Sequence, residues 1–390
     1  MQCIRSDSTL FVLALAFLFG SGLAAAQDTD GDAIPDSIEN QSWYLDAGGS
    51  PQRQDVWVEC DYMRGTVKKR NRLRRRVEQV FDRAPVPGGI TLHVTFDEKL
   101  PFEEQWGDVG TPEGILETFQ KLFDTYDARF DVRPFNGAHA DTMRPYGHYC
   151  MFVESIGGDG VSGFSPGIPG DLFVVALGQY RGQVPGRELR AAEAGTMLHE
   201  LGHNLGLTHG GARPRPHANY KPNYLSVMNY AFQFGFLRRR QGNLEFFNYW
   251  DYSRGRSNLI HERKLHEMEG VILPVEATVA DTQRGDELLG ITFCPESNAL
   301  AFRFNGPVDF DCDGTIDGGK VKVDTNRDGR KNKLGRVQVD WDNLVFGTAG
   351  IGAGGRVELL DPLSEMRRPD VELRLRLREA LRDSAGPLVR

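Results

Sequence analysis

His199-Glu200-Leu201-Gly202-His203-Asn204-Leu205-Gly206-Leu207-Thr208-His209 is the stretch that decides how this chain is read. His199 and His203 are four residues apart. On a helix that spacing puts both imidazoles on one face, about 5.4 Å apart along the axis. Two imidazoles so placed can grip one zinc ion. Glu200 projects near the same face, where a carboxylate can take a proton from a zinc-bound water without being a ligand. Gly206 lets the chain leave the helix, because glycine enters left-handed conformations at little cost. The turn then returns His209 to the same metal. Three histidines leave a fourth position open for water, the pattern of a catalytic zinc site rather than a closed structural one.

A second piece follows at Ser226-Val227-Met228-Asn229-Tyr230. With it, the chain resembles the metzincin metalloproteases, whose extended H-E-x-x-H-x-x-G-x-x-H pattern it fits at every fixed position. The resemblance implies an α+β fold, with a mixed sheet over an active-site helix. It implies Met228 as a methionine turn beneath the zinc. Tyr230 then corresponds to the tyrosine that reaches toward the metal in astacin-like and serralysin-like members. It also implies cleavage of a protein or peptide substrate, with His199, His203 and His209 on zinc and Glu200 as general base. An edge strand pairing with extended substrate is expected within Val161 to Leu177. The competing reading is a calcium-binding surface or adhesion protein with a vestigial or secondary protease domain. The intact Glu200 speaks against it.

The 390 residues allow one large or two moderate domains. Hydrophobic content of 40% and charged content of 26% suit a soluble globular protein. A net charge of -8 gives no bulk attraction to nucleic acid. Residues 1–26 read as a secretory signal peptide: Arg5, an apolar run from Leu10 to Phe19, then Ala24-Ala25-Ala26 before Gln27. That run is short for a membrane span, and no later stretch is long and apolar enough. The mature chain is therefore expected to be secreted or at the cell surface, with no membrane span. Cys60, Cys150, Cys294 and Cys312 allow three disulfide pairings. Cys294 with Cys312 is favoured by proximity in sequence and would leave Cys60 with Cys150.

Residues 27–49 form an aspartate-rich segment. Asp28, Asp30, Asp32, Asp36 and Glu39 fall at positions 1, 3, 5, 9 and 12 of a calcium-type loop. Ala33 stands at position 6, where such loops carry glycine. Residues 50–270 form the expected catalytic domain. Strands are expected at 55–63 and 90–96, around a helix at 66–84 whose basic face is read as solvated. Further helices are expected at 114–126, from 187 and at 258–269, and further strands at 148–154 and 171–177. His139, His148 and Asp159 are read as solvated, and His217 as no ligand. Residues 271–390 form a smaller C-terminal region. There Asp309, Asp311, Asp313 and Asp317 make one candidate calcium loop, and Asp324, Asn326 and Asp328 start a second. Position 12 is Lys320 in the first and Gly335 in the second, so both need ligands from elsewhere. The tail from 366 alternates like a strand at Val371 to Leu377, with a helix equally arguable.

Overall fold

The computed structural model describes residues 27–157, 161–211, 217–240, 243–247, 249–273, 287–295, 299–347 and 358–359. The expected signal peptide, Asp159 and the charged tail lie outside the described residues.

A five-stranded mixed sheet organises the chain. Its strands are β1 (Gln54–Met63), β2 (Ile90–Leu100), β3 (Gly147–Phe152), β4 (Gly163–Phe164) and β6 (Leu172–Val175), in the order β2-β1-β3-β6-β4. The first four in that order run parallel, and β4 closes the edge antiparallel to β6. β5 (Gly167–Ile168) lies between β4 and β6 in sequence. Parallel sheets are covered on both faces, so their strands bury both sets of side chains. β1 shows this: Val56, Val58 and Cys60 enter one apolar cluster, Trp57 and Met63 the other. Its acidic residues are buried too, with backbone donors in place. Glu59 accepts from Arg133 N (2.8 Å), and Asp61 accepts from Glu98 N and the Tyr149 hydroxyl (both 2.8 Å).

Two short helices, α1 (Asp36–Glu39) and α2 (Ser42–Asp46), precede the sheet. α3 (Arg70–Phe81) crosses from β1 to β2 and buries Leu73, Val77, Val80 and Phe81, each worth ~1.5–3 kcal/mol. It starts later than expected because the Thr66 hydroxyl bonds Met63 O, holding residue 66 in a turn at the strand end. α4 (Pro112–Arg129) is longer than expected. Thr111 caps it by accepting from Gly114 N (3.0 Å), and Pro112 sits in the first turn. α5 (Ala138–Met143) is a short link. α6 (Gly186–Asn204) runs through the interior and is buried continuously from Ala191 to Asn204.

A second sheet has the order β11-β10-β7-β8, from β7 (Phe236–Arg240), β8 (Asn243–Phe247), β10 (Glu287–Phe293) and β11 (Ala299–Arg303). Leu289, Ile291, Phe293, Val337 and Trp341 enter the same apolar cluster as Leu198 and Leu201 of α6. Residues on both sides of position 270 thus share one core.

The helix expected at 258–269 is not formed. That segment holds turns and β9 (Leu265–His266), which pairs with β12 (Lys320–Val321). Its two buried glutamates, Glu262 and Glu267, face the aspartate loops, and this tertiary pairing overrides helical periodicity. Cys294 and Cys312 are disulfide-bonded. Cys60 and Cys150 stand opposite each other on β1 and β3 but keep free thiols, against the expected pairing. Both lie in the apolar layer, where burial raises the Cys150 pKa and so disfavours the thiolate that disulfide formation needs.

Candidate metal centre

α6 carries His199, Glu200 and His203, all fully buried. The helix ends in a Schellman turn: Leu207 N bonds Gly202 O (2.8 Å), Gly206 N bonds His203 O (2.9 Å), and Gly206 has φ +84°. That turn sends the chain back, and His209 arrives beside the other two. The three Nε2 atoms form a triangle with sides of 3.0, 3.1 and 3.2 Å. His199 Nδ1–H donates to Val227 O (2.9 Å), and His203 Nδ1–H donates to Leu207 O (2.8 Å). Those bonds fix the tautomers, so the Nε2 lone pairs of His199 and His203 face the common centre. Burial and the neighbouring His209 hold His199 well below the usual histidine range, and burial with His217 takes His209 down to about 3. Neutral imidazoles are what a metal requires. Nitrogens bound to tetrahedral zinc at about 2.0–2.1 Å lie about 3.3 Å apart, so the triangle fits such an ion closely.

Met228 lies directly beneath the helix. A Cβ added to Gly202 would meet its Sδ at 2.3 Å. The Tyr230 ring stands beside His209 (centroids 4.7 Å) and His199 (5.3 Å), and its N–H is held by Asn219 Oδ1 at 2.8 Å. The exposed His217 ring is 6.3 Å from that of His209 and outside the triangle. β4, inside the stretch expected to hold an edge strand, passes the other side: a Cβ on Gly163 would meet Glu200 Oε1 at 2.5 Å. His148 is not solvated as expected. It is buried on β3, 3.3 Å from Asn204 Oδ1, and burial lowers its pKa to about 4. His139 stacks on Trp43 at 4.4 Å.

One supporting residue has no local signal in the sequence. Asp340, fully buried, accepts from Ser226 Oγ (2.6 Å), Tyr224 OH (2.8 Å) and Ser253 N (2.9 Å). It anchors the turn that carries Val227 and Met228.

The three aspartate loops share one backbone form. Positions 4 and 6 are left-handed in each: Gly31 and Ala33, Cys312 and Gly314, Arg327 and Gly329. Ala33 therefore adopts the conformation glycine takes elsewhere. In each loop the position-6 N–H reaches the position-1 carboxylate: Ala33 to Asp28 (2.9 Å), Gly314 to Asp309 (2.9 Å), Gly329 to Asp324 (2.8 Å). The two C-terminal loops borrow glutamates from the 260–270 segment. Glu267 accepts from Phe310 N (2.7 Å) and Asp317 N (2.8 Å). Glu262 accepts from Thr325 N (2.6 Å) and Asn332 N (2.9 Å), and has carboxyl oxygens near those of Asp324 and Asp328. Asn326 Nδ2 donates to Asn219 O (3.1 Å); Asp311 is half-buried and Asp313 exposed. In the N-terminal loop Asp36 accepts from Thr29 N and Oγ1 (both 2.8 Å).

No protein-family model and no curated protein matches the chain. Among solved structures it is similar to a zinc-dependent peptidase from Methanocorpusculum labreanum, at 12% identity over 44% of this chain and 87% of that one, with a TM-score of 0.29. It is also similar to archaemetzincin from Methanopyrus kandleri, at 17% identity over 45% and 81%, with a TM-score of 0.26.

Proposed function

We propose that this chain is a secreted zinc-dependent endopeptidase. The observation that carries the reading is the triangle of Nε2 atoms on His199, His203 and His209, with Glu200 on the same helix. These three histidines would hold the ion. When bound, zinc supplies Lewis acidity to a water and to the scissile carbonyl. Glu200 takes a proton on its carboxylate and returns it to the leaving amine. Tyr230, packed against His209 and His199, donates its hydroxyl to the oxyanion that develops on the substrate. β4, the last strand of the sheet among the described residues, would pair with an extended peptide and align the scissile bond over Glu200. Calcium is the second cofactor of this reading, held by the aspartate loops, with Glu262 and Glu267 standing in for the missing position-12 acids. Residues 1–26 direct export.

The test is zinc content and peptide cleavage measured on the same preparations. Wild type should carry one zinc and cleave a peptide library. Glu200→Gln should keep the zinc and lose at least about a thousandfold in kcat, whereas His203→Ala should lose both. A Glu200→Gln protein with wild-type turnover would overturn the reading.

A further inference from the structure

We propose that Asp30, Asp32 and Glu39 of the N-terminal segment, together with Asp55 at the start of β1, hold one calcium-sized cation that staples residues 27–49 to the central sheet. The proposal rests on the calcium part of the reading above and is independent of the zinc centre. It adds a ligand from outside the loop and gives the ion a task.

Carboxyl oxygens of Asp32, Glu39 and Asp55 converge within 4.8 Å of one another, and those of Asp28, Asp30 and Asp32 do likewise. Asp32, Glu39 and Asp55 are 2%, 0% and 3% exposed. Both oxygens of Glu39 are buried and have no hydrogen-bond partner, and the same holds for both oxygens of Asp30. A buried carboxylate without donors is among the most costly groups a fold can carry. Asp55 does meet His93 (2.8 Å) and, more distantly, Arg53 (3.9 Å). It also accepts from Tyr44 OH (3.0 Å) and Ser50 N (2.7 Å). Those contacts leave Glu39 and Asp30 unanswered.

The donor set selects the ion. It is all oxygen, mostly carboxylate, and spread over a loop, a short helix and a strand, which suits the six to eight oxygens of calcium. Asp32 accepts one backbone N–H on each oxygen, from Ile34 and Asp55, and Asp55 Oδ1 meets only His93 at hydrogen-bond distance, so these oxygens keep a second lone pair, whereas Asp55 Oδ2 is filled by Tyr44 and Ser50. Asp32 Oδ2 accepts from Asp55 N (2.8 Å), so loop and strand are in register before any ion enters. Gln54 Nε2 adds a bond to Asp30 O (3.0 Å). An ion at this junction would tie α1, through Glu39, to the first residues of β1.

Calcium titration into calcium-depleted, zinc-loaded protein tests this, read by calorimetry and by thermal unfolding. Wild type should gain thermal stability with calcium. Glu39→Gln should bind one ion fewer, or bind at that site at least about tenfold more weakly. Without calcium the same variant should unfold at a higher temperature than wild type, because it lacks a buried carboxyl that must either stay ionised without a donor or take up a proton. Should Glu39→Gln fail to fold, Asp30→Asn serves in its place. Equal calcium stoichiometry and affinity in variant and wild type would overturn the proposal. So would a lower unfolding temperature for the variant in the absence of calcium. Zinc content and peptide cleavage are measured alongside, so failure of the zinc reading would show separately.

Discussion

Ser226 Oγ donates to Asp340 Oδ2 across 2.6 Å, joining the turn under the histidines to a residue more than a hundred positions later. The bond is one of several. Asp340 also receives Tyr224 OH and Ser253 N, while Ser226 Oγ accepts from Met228 N (3.1 Å). Val227 O, in that same turn, orients His199 through Nδ1. The C-terminal third thus reaches the metal centre in two steps, from Asp340 to the turn and from the turn to the imidazole.

Asp340→Ala should therefore do more than loosen a surface loop. It leaves several buried donors without an acceptor, at about 1–3 kcal/mol each before relaxation. Denaturant unfolding should show a loss of about 3 kcal/mol or more, and zinc affinity should fall roughly 10–100-fold, as for other residues that orient a metal ligand. Unchanged zinc affinity in a folded variant would separate Asp340 from the metal centre.

Gly163→Ala should impair turnover with little loss of zinc. The added methyl falls 2.5 Å from Glu200 Oε1, so the carboxylate must move. Displacing a proton-transfer group by about 1 Å can cost about a hundredfold, so kcat should fall by that order. Zinc content should change little by comparison.

Glu262→Gln and Glu267→Gln should each destabilise the loops they serve. Each glutamate accepts backbone N–H bonds from both ends of a loop, and the amide retains only one of its two acceptor oxygens. A loss of about 1–3 kcal/mol each is expected in thermal or denaturant unfolding. The two losses should be nearly additive if the loops act independently.

Glu193 gives a pH signature. Burial raises its pKa from 4.5 to about 7, despite Arg190, Arg181 and Arg76 nearby. The folded state therefore binds this proton more tightly than the unfolded chain. Its contribution to stability is complete below about pH 4.5 and is lost as pH rises through about 7. Glu193→Gln should flatten the stability profile over that window. An unchanged slope between pH 5 and 7 would count against the assignment.

Much of the centre was legible without coordinates because its signals are local. The i, i+4 histidines fix a helical face, and Gly206 marks the turn that returns His209. β1, α3 and β2 were likewise visible in alternation and helical periodicity. The 258–269 segment has helical periodicity but forms turns and β9, because Glu262 and Glu267 answer to loops some 50 residues downstream. Spacing in the sequence leaves the pairing of Cys60 and Cys150 open; in the fold they stand opposite each other on β1 and β3 as two buried thiols.

By itself the sequence determined which side chains could meet a metal, because helix spacing and a left-handed turn are properties of a few adjacent residues. Only the tertiary structure decided what holds them there. Asp340 beneath the Met228 turn, Glu262 and Glu267 at the loops, and Asp32 on the backbone N–H of Asp55 are joined by contacts between residues distant in the chain. Such contacts follow from packing and from the need to satisfy buried polar groups, and neither leaves a periodic mark in the sequence.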